Sequence, residues 1–111
     1  MKLLPIDTVH VDELLDRTLQ NGCHELQLRV GQSPHIRACR GTAEDGLLPY
    51  EALDPLDLMQ MVYAVLTDDQ ILQFERAGSL SLSYSTCRHA DFNVNLRRVQ
   101  AVLEADFAAV L

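Results

Sequence analysis

The stretch Glu25-Leu26-Gln27-Leu28-Arg29-Val30-Gly31-Gln32-Ser33-Pro34-His35-Ile36-Arg37-Ala38-Cys39 decides the fold class. Leu26, Leu28 and Val30 alternate with Glu25, Gln27 and Arg29, the period-two pattern of a strand with one wet and one buried face. Gly31-Gln32-Ser33-Pro34 carries turn residues, and Ile36, Ala38 and Cys39 sit on the returning strand. The stretch therefore reads as an antiparallel hairpin.

On its N-terminal side, Val11, Leu14, Leu15, Thr18 and Leu19 recur at helical spacing, which predicts a helix from Asp7 or Thr8 to a stop at Asn21-Gly22. On its C-terminal side, residues 41–49 form a loop with a short strand at Leu47 and Leu48. Asp54 is an N-cap followed by Pro55 at the first helical position, and Leu58, Met61, Val62, Val65 and Leu66 form the buried stripe of a second helix. Thr67-Asp68-Asp69-Gln70 reads as a capping box opening a third helix, with Ile71, Leu72 and Phe74 inward and Gly78 as its stop. Three alternating runs follow, around Leu80-Leu82-Tyr84, Phe92-Val94-Leu96, and Val99 to Leu111. Arg97 and Arg98 are expected between two of these strands, at a turn. The order α-β-β-α-α-β-β-β, joined by short turns, predicts a single α+β domain over residues 1–111 with an antiparallel sheet and helices on one face.

The chain has 111 residues, 48% hydrophobic and 23% charged, and no Trp, enough for one core without covalent staples. Its net charge of −7 repels nucleic-acid backbones and anionic membranes. No secretory signal is read at the N-terminus and no apolar run would insert into a membrane, so a cytoplasmic location is expected. Cys23, Cys39 and Cys87 are an odd, widely spaced set, read as reduced thiols.

The chemistry-bearing residues form no strong motif. Gly41 and Gly46 have the glycine spacing of a phosphate-binding loop, but Leu47 and Leu48 stand where its Lys and Ser/Thr belong. Cys23-His24 with Cys87 and His89 lack the spacing of a zinc knuckle. His10 and His35 have no catalytic partner at a motif spacing. Asp12, Glu13, Asp16, Asp68 and Asp69 sit in first helical turns, where a solvated role complementing the helix dipole is expected, with calcium or docking as the alternative. Arg97 and Arg98 are the candidate partner-docking residues, a basic spot in an acidic chain.

Gly22-Cys23-His24-Glu25-Leu26-Gln27-Leu28 through Pro34-His35-Ile36-Arg37 resembles the opening of the N-terminal domain of PilT-type pilus-retraction and type II secretion ATPases, roughly G-x-S-D-L-H-L-x-x-G-x-x-P-x-x-R. Leu66-Thr67-Asp68-Asp69-Gln70 with Phe74-Glu75 resembles that family's L-T-D-E-Q…F-E helix. Leu80-Ser81-Leu82-Ser83-Tyr84-Ser85 is similar to its D-F-S-Y-S strand, and Asp91-Phe92-Asn93-Val94-Asn95 to its R-F-R-V-N. The resemblance covers nearly the whole chain and ends near Leu111, about where the family's domain ends and before its RecA-like core. It implies a PAS-like fold. In the family this domain packs on a neighbouring subunit of the hexamer and supplies arginines toward that neighbour's nucleotide.

The departures fall on those arginines. Asp91 and Asn93 replace the two of R-F-R-V-N, and Ala108, after Phe107, replaces that of the final A-V-F-R-x-I strand. Arginine there would stabilise phosphoryl charge, and an aspartate opposes it. The resemblance and its departures together imply a stand-alone, non-catalytic interaction or regulatory module of type IV pilus, motility or secretion machinery, without catalytic, cofactor or metal residues. Its expected partner is a protein: an ATPase, a small GTPase or a polar scaffold. The alternatives are the N-terminal domain of a hexameric ATPase and a PAS-like small-ligand sensor. A homodimer formed by strand-edge pairing is also expected.

Overall fold

The computed structural model describes residues 2–39 and 45–110. Helix α1 spans Val11–Gln20, followed by strands β1 Glu25–Arg29, β2 His35–Arg37 and β3 Gly46–Leu47. Helices α2 Pro55–Tyr63 and α3 Asp68–Ala77 precede β4 Ser79–Ser85, β5 Asp91–Val99 and β6 Val102–Ala109. The order matches the sequence expectation, with the expected short strand realised as β3.

Helix α1 begins later than expected. Asp7 and Thr8 lie in a turn closed by the Val9 amide donating to the Ile6 carbonyl at 3.2 Å. The helix opens where the apolar stripe does, with His10 as N-cap, its Nδ1 accepting from the Asp12 amide at 3.1 Å. Helix α2 is capped by Asp54 with Pro55 behind it, and α3 by the Thr67/Gln70 capping box. Gly78 ends α3 at φ 74°, the left-handed conformation that costs glycine least. Leu72, expected inward, is 51% exposed, whereas Phe74 is fully buried. Two residues along a helix turn the side chain about 200°, so both cannot face the sheet.

All six strands form one antiparallel sheet in the order β3-β2-β1-β6-β5-β4. The chain lays down β1 to β3 outward from the centre, crosses over through α2 and α3, and returns from the opposite edge, so that β6 closes against β1. Alternation then sorts the side chains. Leu26, Leu28, Phe92, Val94, Leu96, Ala105 and Phe107 are buried with Leu14, Leu15, Leu58, Val62 and Phe74 of the helices. Phe107 lies opposite both Leu26 and Val94, at the middle of that core.

Arg97 and Arg98 lie inside β5, not at a turn. The turn comes at Gln100 and Ala101, with φ 53° and 67°. Val99 faces Val102 across it, a tight two-residue reversal whose two positive φ values match the twist of the flanking strands.

Candidate docking site

Because adjacent strand residues point to opposite faces, the two arginines stand on opposite sides of the sheet. Arg97 is on the open face. Its Nε donates to Glu104 Oε1 at 3.0 Å and its Nη1 to Asp106 Oδ2 at 2.7 Å. Arg29 completes the cluster, with Nη2 donating to Asp106 Oδ1 at 2.8 Å. Two guanidinium groups and two carboxylates thus neutralise one another in adjacent rows of β1, β6 and β5.

Arg98 is on the helix face. Its guanidinium carbon lies 5.2 Å from the Phe74 ring centroid, within the range of a cation–π contact, and its Nη2 donates to Tyr63 Oη at 3.4 Å. Among the described residues no carboxylate lies within 4.0 Å of it. Tyr63 in turn donates to Glu75 Oε1 at 3.2 Å, and burial together with that carboxylate pushes its phenol up from its ordinary value. Arg98 stands at the edge of a groove of about 240 Å³ walled by Val30, Pro55, Met59, Tyr63 and Val102. Met59 and Val102 are exposed there. An apolar groove with one carboxylate-free cation can take an apolar side chain flanked by an acid.

The open face carries polar rows. One runs Ser81, Asn95, Asp106, Gln27 and His35 across five strands. The next runs Ser83, Asn93, Ala108, Glu25 and Arg37. Asn93 and Ala108 are direct cross-strand partners, and Asp91 lies two residues from Asn93 on the same face. Ser85 Oγ donates to the Asp91 carboxylate. The three positions to which the resemblance assigns arginines are therefore one contiguous patch. Here it holds a carboxylate, a carboxamide and a methyl group.

The acidic first turn of α1 does more than meet solvent. Asp12 accepts from Tyr84 Oη at 2.5 Å and from the Cys87 amide at 2.9 Å. Burial pushes the Asp12 carboxyl up, but these hydrogen bonds outweigh it and hold it below the usual carboxylate value. Tyr84 is pushed well above its ordinary value by burial and by donating to Asp12. The Glu13 carboxylate accepts from Tyr50 Oη, and burial plus that bond push Tyr50 up to about 12. Asp16 pairs with Arg88 at 3.5 Å.

The cysteine reading is corrected: Cys23 and Cys39 form a disulfide. The two cysteines lie two residues beyond the last ladder pair, Glu25↔Arg37, at the open end of the hairpin. Cys87 is the free thiol, exposed beside Asp12, whose carboxylate pushes it up and so disfavours the reactive thiolate. No group of metal-ligating side chains occurs among the described residues. Gly41 lies outside the described residues, and Gly46 begins β3. No described helix is long and apolar enough to cross a membrane.

No family model matches the chain, and no curated protein matches it. Among solved structures it superposes on the pilus retraction motor PilT with bound ADP, at TM-score 0.79 and 17% identity, covering 93% of this chain and 29% of that one. The chain shares its fold with part of such an ATPase. It is likewise similar to the ATPase DotB of Legionella pneumophila, at TM-score 0.73 and 8% identity over 99% of this chain and 32% of that one. For DotB of Yersinia pseudotuberculosis the values are 0.72 and 9% over 100% and 35%. The chain thus spans about a third of the length of the ATPases it matches.

Proposed function

We propose that this chain is a non-catalytic, protein-binding regulatory module of pilus, motility or secretion machinery. Its docking site is the apolar groove edged by Arg98. One observation carries the reading: the patch Asp91, Asn93 and Ala108 bears no cation where the resemblance calls for arginines, and a carboxylate there repels phosphate. The fold shared with PilT and DotB supports a place beside such motors, and the exposed groove supports a protein partner, whether an ATPase, a small GTPase or a polar scaffold.

Calorimetric titration with ATP and ADP, together with an ATPase assay, tests the non-catalytic half of this reading; micromolar nucleotide affinity sinks it. The docking half is tested by capturing partners from the native host with the wild-type chain, Arg98→Glu and Arg97→Glu. Loss of the main partner with Arg98→Glu alone, in a variant with an unchanged circular dichroism spectrum, is the expected result. Equal loss with Arg97→Glu would move the site to the open face. A second reading, one domain of a longer hexameric ATPase, is favoured by coverage of nearly all of this chain against a third of its matches. A reading frame continuing from residue 111 into a G-x-x-x-x-G-K-[ST] loop would establish it.

A further inference from the structure

Strand β4 is an unprotected sheet edge. Among the described residues it pairs only with β5, and the opposite edge, β3, is two residues long. The phase of the β4–β5 ladder is fixed at both ends. The Arg98 amide donates to the Gly78 carbonyl at 2.8 Å, and the Thr86 amide to the Ala90 carbonyl at 2.9 Å. Hydrogen-bonded pairs recur every second residue in an antiparallel ladder, so Leu80, Leu82 and Tyr84 turn their backbone groups toward β5. The amides and carbonyls of Ser79, Ser81, Ser83 and Ser85 therefore point away from the sheet. Edges of this kind are normally blunted by charge, proline or a bulge. The sequence Ser79-Leu80-Ser81-Leu82-Ser83-Tyr84-Ser85 has none of these.

We infer that β4 is a homodimerisation edge, pairing antiparallel with β4 of a second copy about a two-fold axis at Leu82. This inference stands independently of the Arg98 groove. The edge is self-complementary in this register. Ser81 faces Ser83 of the second copy, and Ser79 faces its Ser85, so every outward amide and carbonyl meets a partner, roughly eight main-chain hydrogen bonds in all. On the helix side, half-buried Leu82 meets its own symmetry mate and Leu80 meets Tyr84. Such an isologous interface closes at two copies.

The lack of charge along this self-complementary edge is what admits a second copy as its occupant. A chain of net charge −7 repels itself over most of its surface, and this edge is an uncharged strip along which two copies approach without opposing carboxylates.

The register makes the test specific. The serine side chains are exposed, so Ser81→Lys with Ser83→Lys leaves the core intact while setting lysine against lysine twice across the axis. Ser81→Lys with Ser83→Glu instead sets lysine against glutamate twice. Sedimentation velocity over a concentration series reaching high micromolar is expected to show a reversible dimer for the wild type. The double lysine variant should dimerise about tenfold more weakly, and the lysine–glutamate variant more tightly than the double lysine by at least as much. Hydrogen exchange at dimer-forming concentration should protect the amides of Ser81 and Ser83, which exchange freely on dilution, while those of Leu80 and Leu82 stay protected throughout. A monomeric wild type overturns the proposal. So does a lysine–glutamate variant no tighter than the double lysine, because pairing Ser81 with its own symmetry mate sets lysine against lysine in both variants.

Discussion

Replacing Asp12 with alanine is expected to loosen the attachment of α1 to the β4 end of the sheet. The carboxylate is 13% exposed and receives two donors from distant sequence, Tyr84 Oη at 2.5 Å and the Cys87 amide at 2.9 Å. A hydrogen bond to a charged group contributes about 1.5–3 kcal/mol, and a buried hydroxyl left without a partner costs about 1–3 kcal/mol. Because the Cys87 amide is exposed and regains water, most of the loss traces to Tyr84, and Asp12→Ala should destabilise by about 2–3 kcal/mol. At roughly 4 °C per kcal/mol for a chain of this size, the midpoint falls by about 10 °C. Tyr84→Phe removes donor and orphan together and should cost only about 1 kcal/mol. In urea denaturation at neutral pH, a cycle of the two single variants and the double variant should give a coupling of about 1–2 kcal/mol. The pH dependence has a definite sign. The folded Asp12 lies below its unfolded value near 4, so its contribution is complete above that value and disappears as pH falls through the folded one. Asp12→Ala should therefore flatten the acid limb of the stability curve. Additivity of the two single variants to within about 0.3 kcal/mol, or an unchanged acid limb, would refute this account of α1.

Three further expectations concern other parts of the fold. Reducing Cys23–Cys39, which closes a sequence separation of 16, should lower stability by up to roughly 3 kcal/mol, and thiol titration of the unfolded oxidised protein should find only Cys87. Three reactive thiols before any reductant is added would disprove the bond. Among the described residues both ring nitrogens of His24 are buried without hydrogen-bond partners, so His24→Leu should stabilise by about 1 kcal/mol in thermal melts, and a loss of that size would mean the imidazole is satisfied. Tyr50 is raised to about 12 from an unfolded value near 10, so its contribution is complete below pH 10 and fades as pH rises toward 12. Tyr50→Phe should abolish that alkaline loss while tyrosinate absorbance of the remaining residues still rises, and an unchanged alkaline limb would count against the Glu13 contact.

Local chemistry made much of the fold legible. Hairpin alternation at Leu26-Leu28, proline after Asp54, and the Thr67/Gln70 box each act within a few residues, and each appears where its pattern lies. What escaped depends on register. The reversal at Gln100-Ala101 lacks the Asn-Gly or Asp-Gly that normally marks two positive φ values, so β5 seemed to end before Arg97. Cys23 and Cys39 are equidistant from the Gly31 turn, a symmetry with meaning only once the strands are taken as in register. Asp12 and Glu13 show nothing locally that distinguishes a solvated first-turn acid from one that meets a tyrosine far along the chain. The same step of register sets the two arginines apart, since extending β5 by two residues turns Arg97 and Arg98 to opposite faces.

That separation changes where a partner can find charge on this molecule. On the open face, Arg97 and Arg29 are bound by Glu104 and Asp106, so a partner's carboxylate would have to displace bonds as short as 2.7–2.8 Å to reach them. Arg98 asks for no such exchange. Its present neighbours are a ring and a phenol, which hold the guanidinium in place without neutralising it. A prepositioned cation beside exposed apolar walls loses little side-chain freedom on binding, and this favours affinity more than added charge does. The chain is acidic overall, yet Arg98, with no described carboxylate within 4.0 Å, stands at the mouth of an apolar groove. Under the proposed docking, an acidic apolar segment would be repelled from most of the surface and least so at this groove.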